Sequence, residues 1–440
     1  MSNPLLPIAF GLVLAVAACG ASSRDGGPPV KVSVEAATDG PWRVEYVLAR
    51  PVERLNLGPA LDGFRSSYWR VSAGGAALIE EGGSDWLAAS EDGGAFDHVV
   101  IEVEPRSAPL AKDYQAFTPM GAGGVLLYTG HFTPKTDDGG LIETRFDIVA
   151  PQRGRIAAFD KTARALMDWA SPYDLPGFVY IGSAKPAQSD WVSAIVDARA
   201  PEWVKRETET LIPPLFAAYA AGLGRDLPAR PNLFVAMGDV SIEGQISYRG
   251  DALPGQFQAT LEGGAWTQDS PEARRVFLYT TAHEAAHLFQ LTVQPDETAS
   301  DFIHEGGADA LAAEALVHIG RWTRSDLRTA LVEALAECAR LTEGRSLIAA
   351  EAAEDWRAAY ACGHVLTVAA AGREGPAAFW RRLMMRAEGA EGYDTALFLE
   401  VARETAGAET ADAISSFLRT NEARPDAKLD RIFALSGAEP

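Results

Sequence analysis

Basic residues are scarce in this chain of 440 residues. Lysine occurs only seven times, and 39 Lys and Arg stand against 60 Asp and Glu, a net charge of −21. Such an acidic balance excludes a nucleic-acid-binding protein, because phosphate contacts need basic surface. It equally excludes a basic helix that docks on anionic lipid. Long hydrophobic runs are missing too. The apolar run at residues 5–18 is about fourteen residues, short of the ~20 that cross a bilayer and right for the core of a signal peptide. There is no internal repeat, and no low-complexity tract beyond the Gly/Ser/Pro-rich stretch at 20–29. Cysteine is limited to Cys19, Cys338 and Cys362. The last two allow one bridge, between segments that both read as helical; a bridge and a pair of buried thiols are both open. What is present is a globular balance of 47% apolar and 22% charged residues, over a length that suggests two or three domains.

The apolar run ends in Val16-Ala17-Ala18-Cys19. Small residues directly before a cysteine resemble the lipobox of bacterial lipoproteins. The resemblance implies a signal peptide at 1–18, lipidation of Cys19, a flexible tether at 19–40 and a lipid-anchored protein of the bacterial cell envelope, facing periplasm or exterior. An ordinary signal peptide with a chance cysteine is the alternative.

Residues 42–146 carry short, turn-separated alternating runs such as 44–48, 67–71, 98–103 and 125–128. This pattern predicts an antiparallel β-sandwich over 41–172, closed by a helix near 161–169. Further strands are expected at 178–181, 191–196 and 232–236, with an edge strand at 255–261. A helix at 201–223 is expected to kink at Pro213-Pro214. From Ser270 onward the pattern is helical. Ser270-Pro271-Glu272 is a start signal: a capping serine, proline in the first turn and an acid at the positive end.

His283-Glu284-Ala285-Ala286-His287 lies on that first helix. Positions four apart share one helix face, so both imidazoles can reach one ion. Glu284 stands beside them, placed to take a proton from water rather than to ligate. A catalytic zinc takes three protein ligands, and Glu305 on the next helix is the candidate third. His304 points about 100° away from Glu305 on that helix and is expected to be a bystander. Gln290 and Val293 occupy the positions where a metzincin needs Gly and His, which excludes that class.

Phe302, Glu305, Gly306 and Ala308 around that glutamate make the chain resemble the gluzincin metallopeptidases, nearest in pattern to the aminopeptidase N and glycyl aminopeptidase families. The resemblance is strongest over 175–370. It implies an α+β multidomain protein: the sandwich, a thermolysin-like catalytic domain at 173–320 and a helical region at 321–440. It implies one zinc per chain on His283, His287 and Glu305, with Glu284 as the base. Asp309 would accept a hydrogen bond from a ligand histidine. Tyr360, in Tyr360-Ala361-Cys362-Gly363, would stabilise the oxyanion, with His364 on the same helix face in a structural role. Leu261, Glu262 and Gly263 echo the family's substrate-binding strand. The expected function is zinc-dependent hydrolysis of exported or extracellular peptides or proteins. The alternative is a surface-anchored zinc- or peptide-binding lipoprotein without turnover.

Overall fold

The computed structural model describes residues 30–438, apart from 91–93, 109, 111–112, 297–298 and 391. The signal-like run, Cys19 and the stretch to Pro29 lie outside the described residues.

Alternation builds the N-terminal half. Val30, Val32 and Val34 are the buried residues of the strand Val30–Glu35, and Trp42, Val44, Tyr46 and Leu48 those of Trp42–Val52. A period of two turns one side of each strand to a core. Both belong to a six-stranded sheet, completed by Trp69–Ala73, Phe96–Val103, Thr144–Val149 and Ala165–Trp169. A five-stranded sheet packs on it, made of Phe117–Met120, Gly124–Tyr128, Arg155–Ala158, Lys161–Ala163 and Phe178–Gly182. Val32, Tyr46 and Ile101 of the first sheet share a core with Phe117, Leu127 and Ile181 of the second.

Several expectations are corrected here. Val30–Glu35 falls inside the range read as tether; its clean alternation follows directly on Gly and Pro. It pairs in parallel with Thr144–Val149, so the sandwich is not wholly antiparallel. Residues 161–169 form two strands, Lys161–Ala163 and Ala165–Trp169, not a helix. Each is paired to a neighbouring strand, and pairing outweighs local propensity. Phe178–Gly182 belongs to the sandwich rather than to the domain after it.

That strand is also the hinge of the architecture. Val179 and Ile181 enter the sandwich core, while Phe178 and Tyr180 pack with Ile195, Phe234 and Ala236 of a third sheet. The third sheet runs in the order Ala187–Gln188, Ser193–Val196, Asn232–Met237, Gln256–Glu262, Ser247–Leu253. Its three central strands are parallel and the outer two antiparallel. Two amides join the layers. Gln256 accepts from Phe178 N–H and donates to Phe178 C=O, both at 2.7 Å. Asn232 accepts from Phe159 N–H and donates to its carbonyl at 2.8 Å. Each satisfies buried backbone groups that sheet pairing leaves over.

Leu233, Val235 and Met237 face the opposite way, into a core shared with every long helix that follows. This core runs on to Phe433, so packing does not break at the boundary expected near 320. The helix Glu202–Leu223 passes through Pro213 and Pro214 without ending. Leu347–Ala352 and Pro425–Ser436 are helices not expected from the pattern. Cys338 and Cys362 are joined, tying Arg324–Leu341 to Trp356–Ala371.

Candidate active site

Three helices meet beneath one edge of the third sheet. The first, Pro271–Gln290, starts where the cap signal stands: Ser270 Oγ accepts from Ala273 N–H at 3.1 Å. It carries His283, Glu284 and His287, all buried. The second, Asp301–His318, carries Glu305 and Asp309. The third, Trp356–Ala371, carries Tyr360. The second and third cross at Gly306 and Gly363, where a Cβ on either would run into the other's backbone. That close crossing brings Tyr360 to the first helix, where its ring stacks on His283 with centroids 5.6 Å apart.

Among the described residues, His283, His287 and Glu305 are the group of three potential metal ligands whose donor atoms all lie within 4.8 Å of one another. The two Nε2 atoms are 2.9 Å apart and each is 3.4 Å from Glu305 Oε2. That oxygen is buried and accepts no hydrogen bond from the described residues. His283 Nδ1 lies 2.9 Å from Asp309 Oδ1, an acceptor, so Nδ1 carries a proton and Nε2 turns its lone pair to the centre. His287 Nδ1 lies 2.7 Å from Gln290 Oε1, with the same consequence. Two imidazole lone pairs and a carboxylate oxygen therefore converge on one point. Nitrogen and oxygen donors of this kind, three in number and buried, fit zinc.

Glu284 faces the edge strand Ser247–Leu253. A Cβ at Gly250 would overlap its carboxylate, so only glycine lets the strand backbone and the acid lie together. Burial, followed by the nearby charges of Asp251, Glu305 and Asp309, pushes Glu284 up to about 8, against the pull of His283. A cation held by the triad acts in the opposite direction. Asp251, on the same strand, is pushed up to about 7 by burial and accepts from the Gln258 amide. Burial and the charge of Glu305 hold the Tyr360 hydroxyl well above its ordinary range, so it keeps its proton.

His304 is not one of that group of three. Its Nδ1 lies 2.6 Å from Tyr393 Oη, and its ring stacks on His287 at 4.3 Å. His364 is buried and kept out of its ordinary range, downward, by burial. Leu261, Glu262 and Gly263 are not placed as the sequence pattern suggested. Their strand, Gln256–Glu262, has neighbours on both sides, and Ser247–Leu253 takes the edge. The two-residue turn Pro254-Gly255 folds that outer strand onto it. Leu261 is buried in the helical core. Glu262 pairs with Arg249 Nη2 at 3.1 Å in a crevice of about 380 Å³ between sandwich and sheet. Gly263 begins the turn after the strand, with φ +104. The pattern missed the true edge because Gly250 and Asp251 are poor strand formers. It missed Gln290 as well, whose only signal is its position three residues after His287.

No family model and no curated protein matches the chain. Solved structures do. A crystal structure of an aminopeptidase N family protein from Idiomarina loihiensis superposes with a TM-score of 0.65 at 13% identity, over 91% of this chain and 78% of that one. An M1 zinc metallopeptidase from Deinococcus radiodurans, bound to a Tyr-Ser-Ala substrate, gives 0.52 at 13% identity, over 90% and 95%. Yeast LTA4 hydrolase in complex with bestatin gives 0.53 at 12% identity, over 90% and 68%. The chain shares the fold of these proteins, a mixed α+β architecture with several sheets and a helical C-terminal region.

Proposed function

We propose that the protein is a zinc-dependent peptide hydrolase. The observation that carries this reading is the convergence of His283 Nε2, His287 Nε2 and Glu305 Oε2, with the buried carboxyl of Glu284 on the same helix as the histidines, outside that triad. His283, His287 and Glu305 would hold the ion. Bound there, zinc supplies Lewis acidity toward the scissile carbonyl and lowers the pKa of water.

The chain's own residues supply the rest. Glu284 takes the proton of the attacking water and later hands it to the leaving amine. Tyr360 keeps its hydroxyl proton and donates a hydrogen bond to the carbonyl oxygen as charge develops there. The outer strand Ser247–Leu253, which pairs with a strand on one side only among the described residues, would take an extended peptide along its other side, with Gly250 bringing it against Glu284. Asp309 holds His283 in the tautomer a ligand needs. The M1 fold and the peptide bound to the Deinococcus protein support a peptide substrate. Lipid anchoring through Cys19 in the cell envelope is part of the reading and rests on Val16-Ala17-Ala18-Cys19. The joined Cys338–Cys362 pair supports an exported, disulfide-permissive setting.

Glu284→Gln tests the reading. The protein produced from residue 21 onward, without Cys19, should hold one zinc, cleave members of a peptide library and lose that activity with chelator. The variant should keep its zinc and lose at least about a hundredfold in rate, as loss of a general base implies. Wild type that holds zinc and cleaves no peptide would refute the hydrolase.

A further inference from the structure

Gln290 is fully buried at the end of the helix that carries His283 and His287. Its amide makes two bonds. Nε2 donates to His304 C=O at 3.0 Å, and Oε1 lies 2.7 Å from His287 Nδ1. A backbone carbonyl can only accept, so the amide has one orientation: NH2 toward His304, oxygen toward His287. The oxygen in turn can only accept, which places the proton on His287 Nδ1. His304 precedes Glu305, so this one side chain also spans from the histidine helix to the backbone beside the third candidate ligand.

We infer that Gln290 is the positioning residue for His287, setting its tautomer and ring direction toward the metal as Asp309 does for His283. The inference rests on the zinc reading of the triad. The two supports differ in charge. Asp309 is a carboxylate, whereas Gln290 is neutral and fixes the tautomer without adding another negative charge beside Glu284 and Glu305. A glutamate at 290 keeps the acceptor toward His287 but loses the donor toward His304. A leucine keeps neither.

Zinc affinity of the chain, measured by competition with a chromogenic chelator, separates these roles. Gln290→Leu should weaken zinc by about 10–100-fold, the usual loss when a ligand's hydrogen-bond support is removed, while Gln290→Glu should stay within about threefold of wild type. Nitrogen-15 histidine NMR of the zinc-free wild type at alkaline pH should show His287 as the Nδ1–H tautomer. Equal weakening in both variants would make Gln290 an interhelix tie only and overturn the positioning role. Unchanged affinity in Gln290→Leu overturns it too, as does an Nε2–H tautomer in wild type. Wild type that takes up no zinc overturns the metal reading itself, and the affinity comparison distinguishes that failure from the others.

Discussion

The sandwich and the helical half each bury charge, in opposite patterns. In the sandwich, Arg65 and Asp85 are both nearly inaccessible and meet at 2.8 Å. Arg65 also donates to the carbonyls of Pro59 and Leu57, each at 2.8 Å. At these three contacts donor meets acceptor and the charge is neutralised within the protein, with Arg65 Nε and Asp85 Oδ1 left without a partner among the described residues. In the helical half, His283 Nε2, His287 Nε2 and Glu305 Oε2 turn lone pairs toward one another. Acceptor faces acceptor, and the arrangement becomes stable by gaining something positive from outside. Burial of charge alone does not mark a functional centre; the match or mismatch of donors and acceptors does.

The comparison makes unlike demands on the two regions. Asp85→Ala strands the Arg65 guanidinium in the sandwich core and should cost about 3–5 kcal/mol of stability. Turnover per folded molecule should stay at the wild-type value, because the pair touches nothing in the site. Urea melts with rates normalised to folded protein check both halves. A variant that remains stable would mean water reaches Arg65, and the contrast would fail on the sandwich side.

Tyr360→Phe should behave the other way round. It removes one oxygen and keeps the ring stacked on His283. A lost oxyanion donor is worth about 3 kcal/mol, or roughly 10²-fold in kcat. KM should stay nearly unchanged, because the bond strengthens only as charge develops. Melting should shift little. Steady-state kinetics giving wild-type kcat would remove Tyr360 from the chemistry and leave it a packing residue.

Features written in neighbouring residues are legible in the sequence. The cap at Ser270 is one, because a serine, a proline and an acid in succession act within a single turn. The strands with alternating apolar positions, such as Trp42–Val52, whose buried residues alternate from Trp42 to Leu48, are others. Features that depend on distant partners are not legible there. The place of Ser247–Leu253 at the sheet edge is set by its hairpin and by Glu284, thirty-odd residues on, which requires glycine at 250 and so weakens the strand signal at the point of interest. The strands at 161–169 are held by pairing to Arg155–Ala158 and Thr144–Val149. Gln290 looks like any helical glutamine until the carbonyl of His304 fixes its orientation. The two-faced burial of Phe178–Gly182 similarly depends on a sheet that comes later in the chain.

Glu305→Gln in zinc-free protein sharpens the comparison with the smallest effect. If acceptors converge because a cation belongs there, the carboxylate gives little to the fold without one. Burial disfavours charge on His283, whereas Asp309 and Glu305 favour it and the net direction is upward, so Glu305 adds an attraction to the fold only when that imidazole takes up a second proton. The glutamine removes one negative charge, and its amide can donate to an imidazole lone pair in return. Losing an attraction while gaining a hydrogen bond should leave zinc-free stability within about 1 kcal/mol of wild type, the size of one net hydrogen bond. Added zinc should then raise the melting temperature of wild type, since it binds only the folded form. The variant should show a much smaller rise, having lost a charged ligand. Thermal melts of both proteins with and without zinc give all four values. A zinc-free loss as large as that expected for Asp85→Ala would mean that Glu305 is a structural ion-pair partner like Asp85, and the distinction between the two buried clusters would not hold.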